Sequence, residues 1–232
     1  MKPAAGRILD LPELRNRAGV FRDRTHAGAA LAGMLNELRG TDTLILAIPA
    51  GGVPVAAEVA RELKLPLDLA VVSKITLPWN TEAGYGAVAF DGTIRLNDDL
   101  VTALALSPQV IHDGIAATKQ KVQHRARKLR GDQPLPGLGQ RTALLIDDGL
   151  ASGFTMLTAI DAVRRLHADK ILVGVPTGHA NAVERIAAEV DSVYCPNIRQ
   201  GWSFAVADAY RQWTDVDESA VVGIMDRFRQ IN

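Results

Sequence analysis

Five short stretches of this chain are apolar along nearly their whole length, with longer stretches of helical period between them. The runs are TLILAI (43–48), LDLAVVS (67–73), TALLID (142–147), KILVGV (170–175) and SVYC (192–195). A strand with one wet face alternates apolar and polar residues, whereas a continuous apolar run belongs to a strand covered on both faces. Between the runs, Thr25 is placed to cap a helix carrying Leu31, Met34, Leu35 and Leu38, with Gly40 as its stop. Val55, Val59 and Leu63 mark a short helix that Pro54 helps to open. Ser107-Pro108 opens a long helix over about 107–130, with Ile111, Ile115, Val122, Ala126 and Leu129 on one face and Gly131 as its end. Further helices are expected from the end of strand 142–147 to about His167, near 180–188, and from a capping box at Asp215 and Glu218 to about Arg229. Strands alternating with helices give an α/β fold with a central, mostly parallel sheet flanked by helices.

The chain's 232 residues, 47% of them apolar, suit one such domain over 1–232 with an insertion. The insertion is polar and glycine-rich from Thr76 to Asn97, with a hairpin expected around Asp91-Gly92. Lys and Arg equal Asp and Glu at 26 each, which argues against nucleic acid or a membrane surface as the main partner. The single cysteine, Cys195, cannot form an internal disulfide. The start MKPAAGRILDLPELRNRAG lacks the apolar core of a signal peptide, and no run of about 18 apolar residues is present. A cytoplasmic protein is therefore expected.

In parallel sheets, ligands bind beyond the carboxyl ends of the strands. Those ends carry PAGG (49–52), Ser73-Lys74, DDGLASGFT (147–155) and PTGH (176–179). Asp147 and Asp148 are adjacent like charges for which a core has no use. The loop behind them, Gly149, Leu150, Ala151, Ser152, Gly153, Phe154 and Thr155, offers backbone N–H groups and two hydroxyls at a helix N-terminus. Unpaired donors and the helix dipole favour an anion there. The carboxylates are acceptors, suited to neighbouring hydroxyls or to a hydrated metal ion. Phosphate on one side and a vicinal diol on the other describes a ribose 5-phosphate.

The stretch LLIDDGLASGFTM resembles the phosphoribosyl pyrophosphate signature of type I phosphoribosyltransferases. FRDRTHAGAALAGML, LAIPAGGVPVAAEVARELKLPLDLAVVSKI and EAGYGAVAFDG extend the resemblance over most of residues 21 to 230, to a bacterial subgroup of that family. The resemblance implies that Asp147 and Asp148 bind the ribose hydroxyls and that residues 149–155 hold the 5-phosphate. PAGG, with Ala50, Gly51 and Gly52, matches the pyrophosphate loop, where related enzymes often hold a non-proline cis peptide. Lys74 matches a basic residue near the pyrophosphate, and residues about 75–97 would form a mobile hood. Magnesium is the implied cofactor, contacted by Asp147 and Asp148 directly or through water, and a homodimer is the expected assembly. Two positions depart from the pattern: Ala50 stands where the subgroup usually has Arg, and Phe154 replaces a small residue in the phosphate loop. In 6-oxopurine enzymes the residue three places after the second acid is an aspartate; here it is Ala151.

Plainer readings stand beside these. The acidic pair could be a solvated strand end, or that of a receiver domain, although a receiver pair sits on the first strand. PAGG could be an ordinary turn, Lys74 a snorkelling strand-end lysine and Glu82 a surface residue. KQKVQHRARKLR (119–130), which contains no acid, reads first as the solvated face of the long helix and second as a lid supplying cations to phosphates. His112 and His124 read as helix-surface residues, and the histidines show no metal-ligand spacing. Trp202, Phe204, Tyr210 and Trp213 either pack in the core or a dimer contact, or stack on a base. Removing the repulsion between Asp147 and Asp148 is expected to leave the fold intact. The expected function is magnesium-dependent transfer of phosphoribose from phosphoribosyl pyrophosphate to a nitrogenous base that is not a 6-oxopurine. Two alternatives stay open: a catalytically weak regulator binding phosphoribosyl pyrophosphate or a nucleotide, and a hydrolase of phosphoribosyl compounds.

Overall fold

The computed structural model of the chain describes residues 6–131, 133 and 137–231, with the backbone alone at 81–83 and 231. Its main sheet is made of β1 (Arg7–Leu9), β2 (Leu44–Ala47), β3 (Leu67–Leu69), β7 (Thr142–Ile146), β8 (Lys170–Gly174) and β10 (Ser192–Tyr194). All pairs are parallel, in the order β1-β10-β8-β7-β2-β3. Successive residues on each central strand enter opposite layers. Leu44 and Leu46 of β2 and Ala143 and Leu145 of β7 join the layer under helices α5 (Phe154–Arg165) and α6 (Ala180–Ala187). Ile45, Ala47, Leu144 and Ile146 join the layer under α1 (Arg24–Met34), α2 (Gly52–Leu63) and α7 (Glu218–Ile231). Burial on both faces is why these strands read as unbroken apolar runs.

The run 67–73 serves two sheets rather than one strand. Its first part is β3, and after Ala70, whose N–H donates to Ala47 O at 2.8 Å, the chain enters β4 (Val72–Leu77). That strand pairs antiparallel with β5 (Asn80–Ala89), which pairs with β6 (Ile94–Leu96). Burial sets the apolar character of the run, and it says nothing of which partner each half finds. The turn at Asp91-Gly92 joins β5 to β6 as expected, with Gly92 at φ 88° and Thr93 N–H bonded to Asp91 Oδ1 at 2.9 Å. Lys74, expected at a strand end, lies inside β4 with its side chain exposed.

After the short α3 (Asp98–Ala103), the long helix α4 (Pro108–Arg130) forms as the sequence indicates. Ser107 Oγ accepts from Val110 N–H at 3.3 Å, and Gly131 ends the helix at φ 68°. Gly114 is where α4 meets β5: a Cβ there would stand 2.1 Å from Tyr85 Oη. The Tyr85 hydroxyl donates to Val110 O at 3.2 Å, fixing the helix against the antiparallel sheet. Two caps differ from expectation. Asp23, not Thr25, caps α1 by accepting from His26 N–H at 2.8 Å. Asp217, not Asp215, caps α7 by accepting from Ala220 N–H at 2.7 Å, while Glu218 is drawn to Arg125 and Lys128 of α4. Two further short strands, β9 (Thr177–His179) and β11 (Asn197–Arg199), pair parallel beyond the ends of β8 and β10. Among the described residues no helix is long and apolar enough to cross a membrane.

Candidate functional site

The chain leaves β2 outward to β3 and returns on the other side at β7, so the order reverses between β2 and β7. A crevice opens at such a reversal because the two connections run to opposite faces. PAGG follows β2 and DDGLASGFT follows β7, and both loops sit at this point. Ile48 N–H donates to Ile146 O at 2.8 Å, and the Pro49–Ala50 peptide is cis. Glycine is required on steric grounds at 51 and 52. A Cβ on Gly51 would lie 2.0 Å from Asp148 Oδ2, and one on Gly52 would lie 2.8 Å from Asp147 Cα. Ala50 turns its side chain into the apolar layer beneath.

Each carboxylate of the pair commits one oxygen to the protein. Asp147 Oδ1 accepts from Asp148 N–H at 2.8 Å. Asp148 Oδ2 accepts from Nε of Arg24 at 2.9 Å and forms an ion pair with its Nη2, also at 2.9 Å. Arg24 is buried, donates through Nη1 to Thr214 O at 2.7 Å, and stacks on Trp213 with its guanidinium carbon 3.8 Å from the ring centroid. Tyr210 donates to Asp148 O at 2.6 Å, and burial followed by the charge of Asp148 pushes its hydroxyl pKa up, so it stays a donor. Burial, then the neighbouring Asp148 charge, raises the Asp147 carboxyl well above the usual carboxylate range. Asp148 is raised too, by burial, with Arg24 pulling it back down.

The loop beyond the pair is shaped by what packs behind it. A Cβ on Gly149 would stand 2.6 Å from Val206 Cγ1, so glycine lets the segment 206–209 close on the loop. Leu150 is buried and tied by its N–H to Thr177 O at 2.9 Å. Gly153 takes φ 73°, turning the chain into α5. Among the described residues, the backbone N–H groups of Ala151, Ser152 and Gly153 find no protein acceptor. Phe154 faces inward and packs on the apolar layer, so it does not narrow the loop. Arg185 Nη1 donates to Ser152 O at 3.2 Å from α6.

A cavity of about 320 Å³ adjoins this junction; Pro49, Lys74, Lys121, Arg125, Asp147 and Thr155 are on its wall. It gathers residues from the loop after β2, from β4, α4 and α5, and from the end of β7. Three of the expected residues (Lys74, Asp147 and Thr155) therefore share one opening, while Leu150 and Phe154 are core residues. A larger cavity, about 610 Å³, lies between α1, α2 and α7 and contains none of the expected site residues. The sequence pattern singles out none of Arg24, Lys121 and Arg125 individually, the acid-free run being the one signal for the last two, and it marks Tyr210 and Trp213 as aromatics that pack or stack on a base, not as partners of Asp148 and Arg24. The side chain of Glu82 lies outside the described residues.

Among the described residues no three His, Cys, Asp or Glu side chains gather as metal ligands. The acidic pair therefore fits a hard cation that brings phosphate oxygens and water as its other ligands, and not a cage built by protein alone. The four C-terminal aromatics divide: Tyr210 and Trp213 brace Asp148 and Arg24, Phe204 packs edge-on to His179, and Trp202 is fully exposed.

Comparison with known proteins sets this geometry in a family. Two proteins from strains of Mycobacterium tuberculosis, each provisionally named a phosphoribosyl transferase, are 37% identical over 208 residues, 90% of this chain and 47% of theirs. The chain thus spans about half the length of these curated relatives. The crystal structure of TT1426 from Thermus thermophilus superposes with a TM-score of 0.74 at 32% identity, covering 90% of this chain and 98% of that one. The family model for the phosphoribosyl transferase domain matches residues 24–209, from the buried arginine of α1 to the turn before Tyr210. The chain belongs to the phosphoribosyl transferase domain family, and its fold is that of the type I phosphoribosyltransferases.

Proposed function

We propose that the protein is a phosphoribosyltransferase that binds 5-phosphoribosyl 1-pyrophosphate where β2 and β7 part and transfers phosphoribose to a nitrogenous base. One observation carries the reading: Asp147 of the acidic pair and Thr155, which follows a loop whose N–H groups at 151–153 find no protein acceptor among the described residues, line one cavity with Lys74, Lys121 and Arg125. In this reading the loop 149–155 holds the 5-phosphate through N–H groups and the hydroxyls of Ser152 and Thr155, with the first turn of α5 adding its dipole. Asp147 Oδ2 and Asp148 Oδ1 are the acceptors left for two neighbouring ribose hydroxyls. The loop 49–52 and Lys74 face the pyrophosphate, and the antiparallel sheet β4–β6 acts as the hood that limits water.

The reaction is substitution at the anomeric carbon. The bond to the pyrophosphate oxygen breaks, a bond to the base nitrogen forms, and the nitrogen's proton leaves to solvent. Magnesium, when bound, neutralises charge that develops on the departing pyrophosphate. The chain's own contribution is alignment of the ribose and donors pre-set for the phosphates. Ala151 bears on the acceptor: its methyl group can neither give nor take a proton, so a 6-oxopurine finds no acid or base there. Hypoxanthine and guanine are accordingly poor acceptors in this reading. Ala50, which brings no charge to the pyrophosphate loop, favours the second reading, a ribose-phosphate-binding regulator.

The test is incubation with phosphoribosyl pyrophosphate, magnesium and a panel of bases, following pyrophosphate release and nucleotide formation. Release that depends on one base supports transfer, and release without any base identifies a hydrolase. Tight binding without release identifies the regulator; failure to bind phosphoribosyl pyrophosphate sinks the assignment. Efficient formation of inosine or guanosine monophosphate refutes the acceptor preference.

A further inference from the structure

A diphosphate leaving group needs cations around it, and the loop after β2 provides none. Ala50 is apolar and turned inward, and Gly51 and Gly52 contribute only backbone. The cations on the wall of the adjoining cavity come from elsewhere: Lys74 on β4, and Lys121 and Arg125 on α4. Gly114, Thr118, Lys121 and Arg125 follow one another at intervals of four, three and four residues, so they form a single stripe along the helix. Gly114 and the buried Thr118 turn that stripe toward β4 and β5, and its continuation carries Lys121 and Arg125 to the opening that Asp147 and Thr155 also line.

The two cations are held differently. Arg125 is half-buried and fastened: Nε donates to Glu218 at 2.9 Å, and Nη1 donates to Ser73 Oγ at 3.1 Å and Val72 O at 3.3 Å. It clamps α4 to β4 and to the start of α7, with much of its charge answered by Glu218. Lys121 is exposed and, among the described residues, has no carboxylate within ion-pair distance; the same holds for Lys74. Lys128 and Arg130, further along the helix, are by contrast paired with Glu218 and Asp68. Among the described residues neither Lys74 nor Lys121 is committed to an ion pair, so both charges on this wall are available to a ligand in the cavity.

We infer that helix α4, and not the loop after β2, supplies the cationic wall for the diphosphate group, with Lys121 as a direct ligand beside Lys74 and Arg125 as the positioning residue. The inference rests on the ribose-phosphate reading of the crevice and is separable from it. Calorimetric titration with inorganic pyrophosphate and, separately, ribose 5-phosphate, both in magnesium, distinguishes the two. Lys121→Ala should weaken pyrophosphate about tenfold, the loss of one charge-assisted contact. Lys121→Glu should weaken it further, Lys121→Arg should retain most of it, and ribose 5-phosphate should bind all three as it binds the unaltered protein. Lys119→Ala, an exposed neighbour off the cavity wall, should change neither ligand. Unchanged pyrophosphate affinity in Lys121→Ala, or an equal loss in Lys119→Ala, overturns the inference. So does an unaltered protein that takes ribose 5-phosphate but not pyrophosphate, which leaves the ribose-phosphate reading standing. Failure to bind either ligand removes both.

Discussion

Arg24 and Asp148 are separated by 124 residues in the chain and by 2.9 Å in the fold, so that of the two acids Asp148 is the one held by a guanidinium. Asp148 is paired with a buried guanidinium that also stacks on Trp213. Removing one member of such a pair strands the other charge, which costs about 3–5 kcal/mol. Arg24→Ala should lower unfolding stability in urea by about that amount, because it leaves Asp148 buried without its guanidinium. A loss below about 1 kcal/mol would mean the pair is worth no more than an exposed one. Asp147 bonds instead to Asp148 N–H. Its pKa is raised above the ordinary 3.8, so the folded state favours the protonated form. That contribution is fully present below the ordinary value and is lost as pH rises through the raised one. Asparagine cannot ionise and keeps an acceptor for Asp148 N–H. Asp147→Asn should therefore melt higher than the unaltered protein at pH 7, the gap closing as pH falls below about 4. A variant that melts lower at pH 7 would contradict the burial argument.

The strands and helices of the parallel layer were legible because burial on both faces leaves a continuous apolar run and capping leaves hydroxyls and glycines at fixed places. Ser107-Pro108 and Gly131 bounded α4 for that reason. The strands β1, β9 and β11 left no apolar run, because polar residues occupy part of RIL, TGH and NIR, whereas β10, equally short, continues into the apolar SVYC. In the site, the acidic pair, the loop 149–155 and PAGG were readable, since each is local in sequence. The contacts of Arg24, Tyr210 and Trp213 with one another and with Asp148 were not, because only the return of the C-terminal segment brings them together. The acid-free run 119–130 divides: Lys119, His124 and Arg127 are exposed, as its plain reading holds, while Lys121 and Arg125 line the cavity and Arg130 is buried on Asp68. Periodicity says which residues share a face, not what the face meets. Two glycines show the same point in energy. Gly33, inside α1, has open space where a Cβ would go, so Gly33→Ala should stabilise by about 0.5–1 kcal/mol. Gly51 has an ordinary φ of −60°, yet its Cβ would meet an Asp148 that Arg24 prevents from stepping aside. Gly51→Ala should cost about 1–3 kcal/mol and also displace the acidic pair, so phosphoribosyl pyrophosphate binding should fall with it. Thermal melts of both variants, with titration of the second, decide the matter. Equal effects would show that helix propensity, not the crevice, governs position 51.

The main sheet is shared by two apolar layers, and β7 at its centre divides its side chains between them. Leu144 enters the layer under α1, α2 and α7, and Leu145 the layer under α5 and α6. Both are fully buried, so truncation to alanine should cost about 2–5 kcal/mol at either position, the spread reflecting how far each layer can close on the void. Against a total of about 5–15 kcal/mol for an ordinary domain, either change is large. Because the layers share the hydrogen-bonded strands of one sheet, β2 and β7 among them, neither can lose its order while the other keeps the sheet intact. Each variant should therefore unfold in urea in a single transition, with a lower midpoint and an unchanged slope. Far-ultraviolet circular dichroism reports the whole backbone. Tryptophan fluorescence reports Trp213, against Arg24 at the crevice, together with the exposed Trp79 and Trp202. Coincident curves for Leu144→Ala and for Leu145→Ala mean that the crevice, the sheet and both layers form one cooperative unit over the whole chain. Two separated transitions in either variant would divide the molecule at β7, and the crevice would then belong to whichever layer melts with the fluorescence.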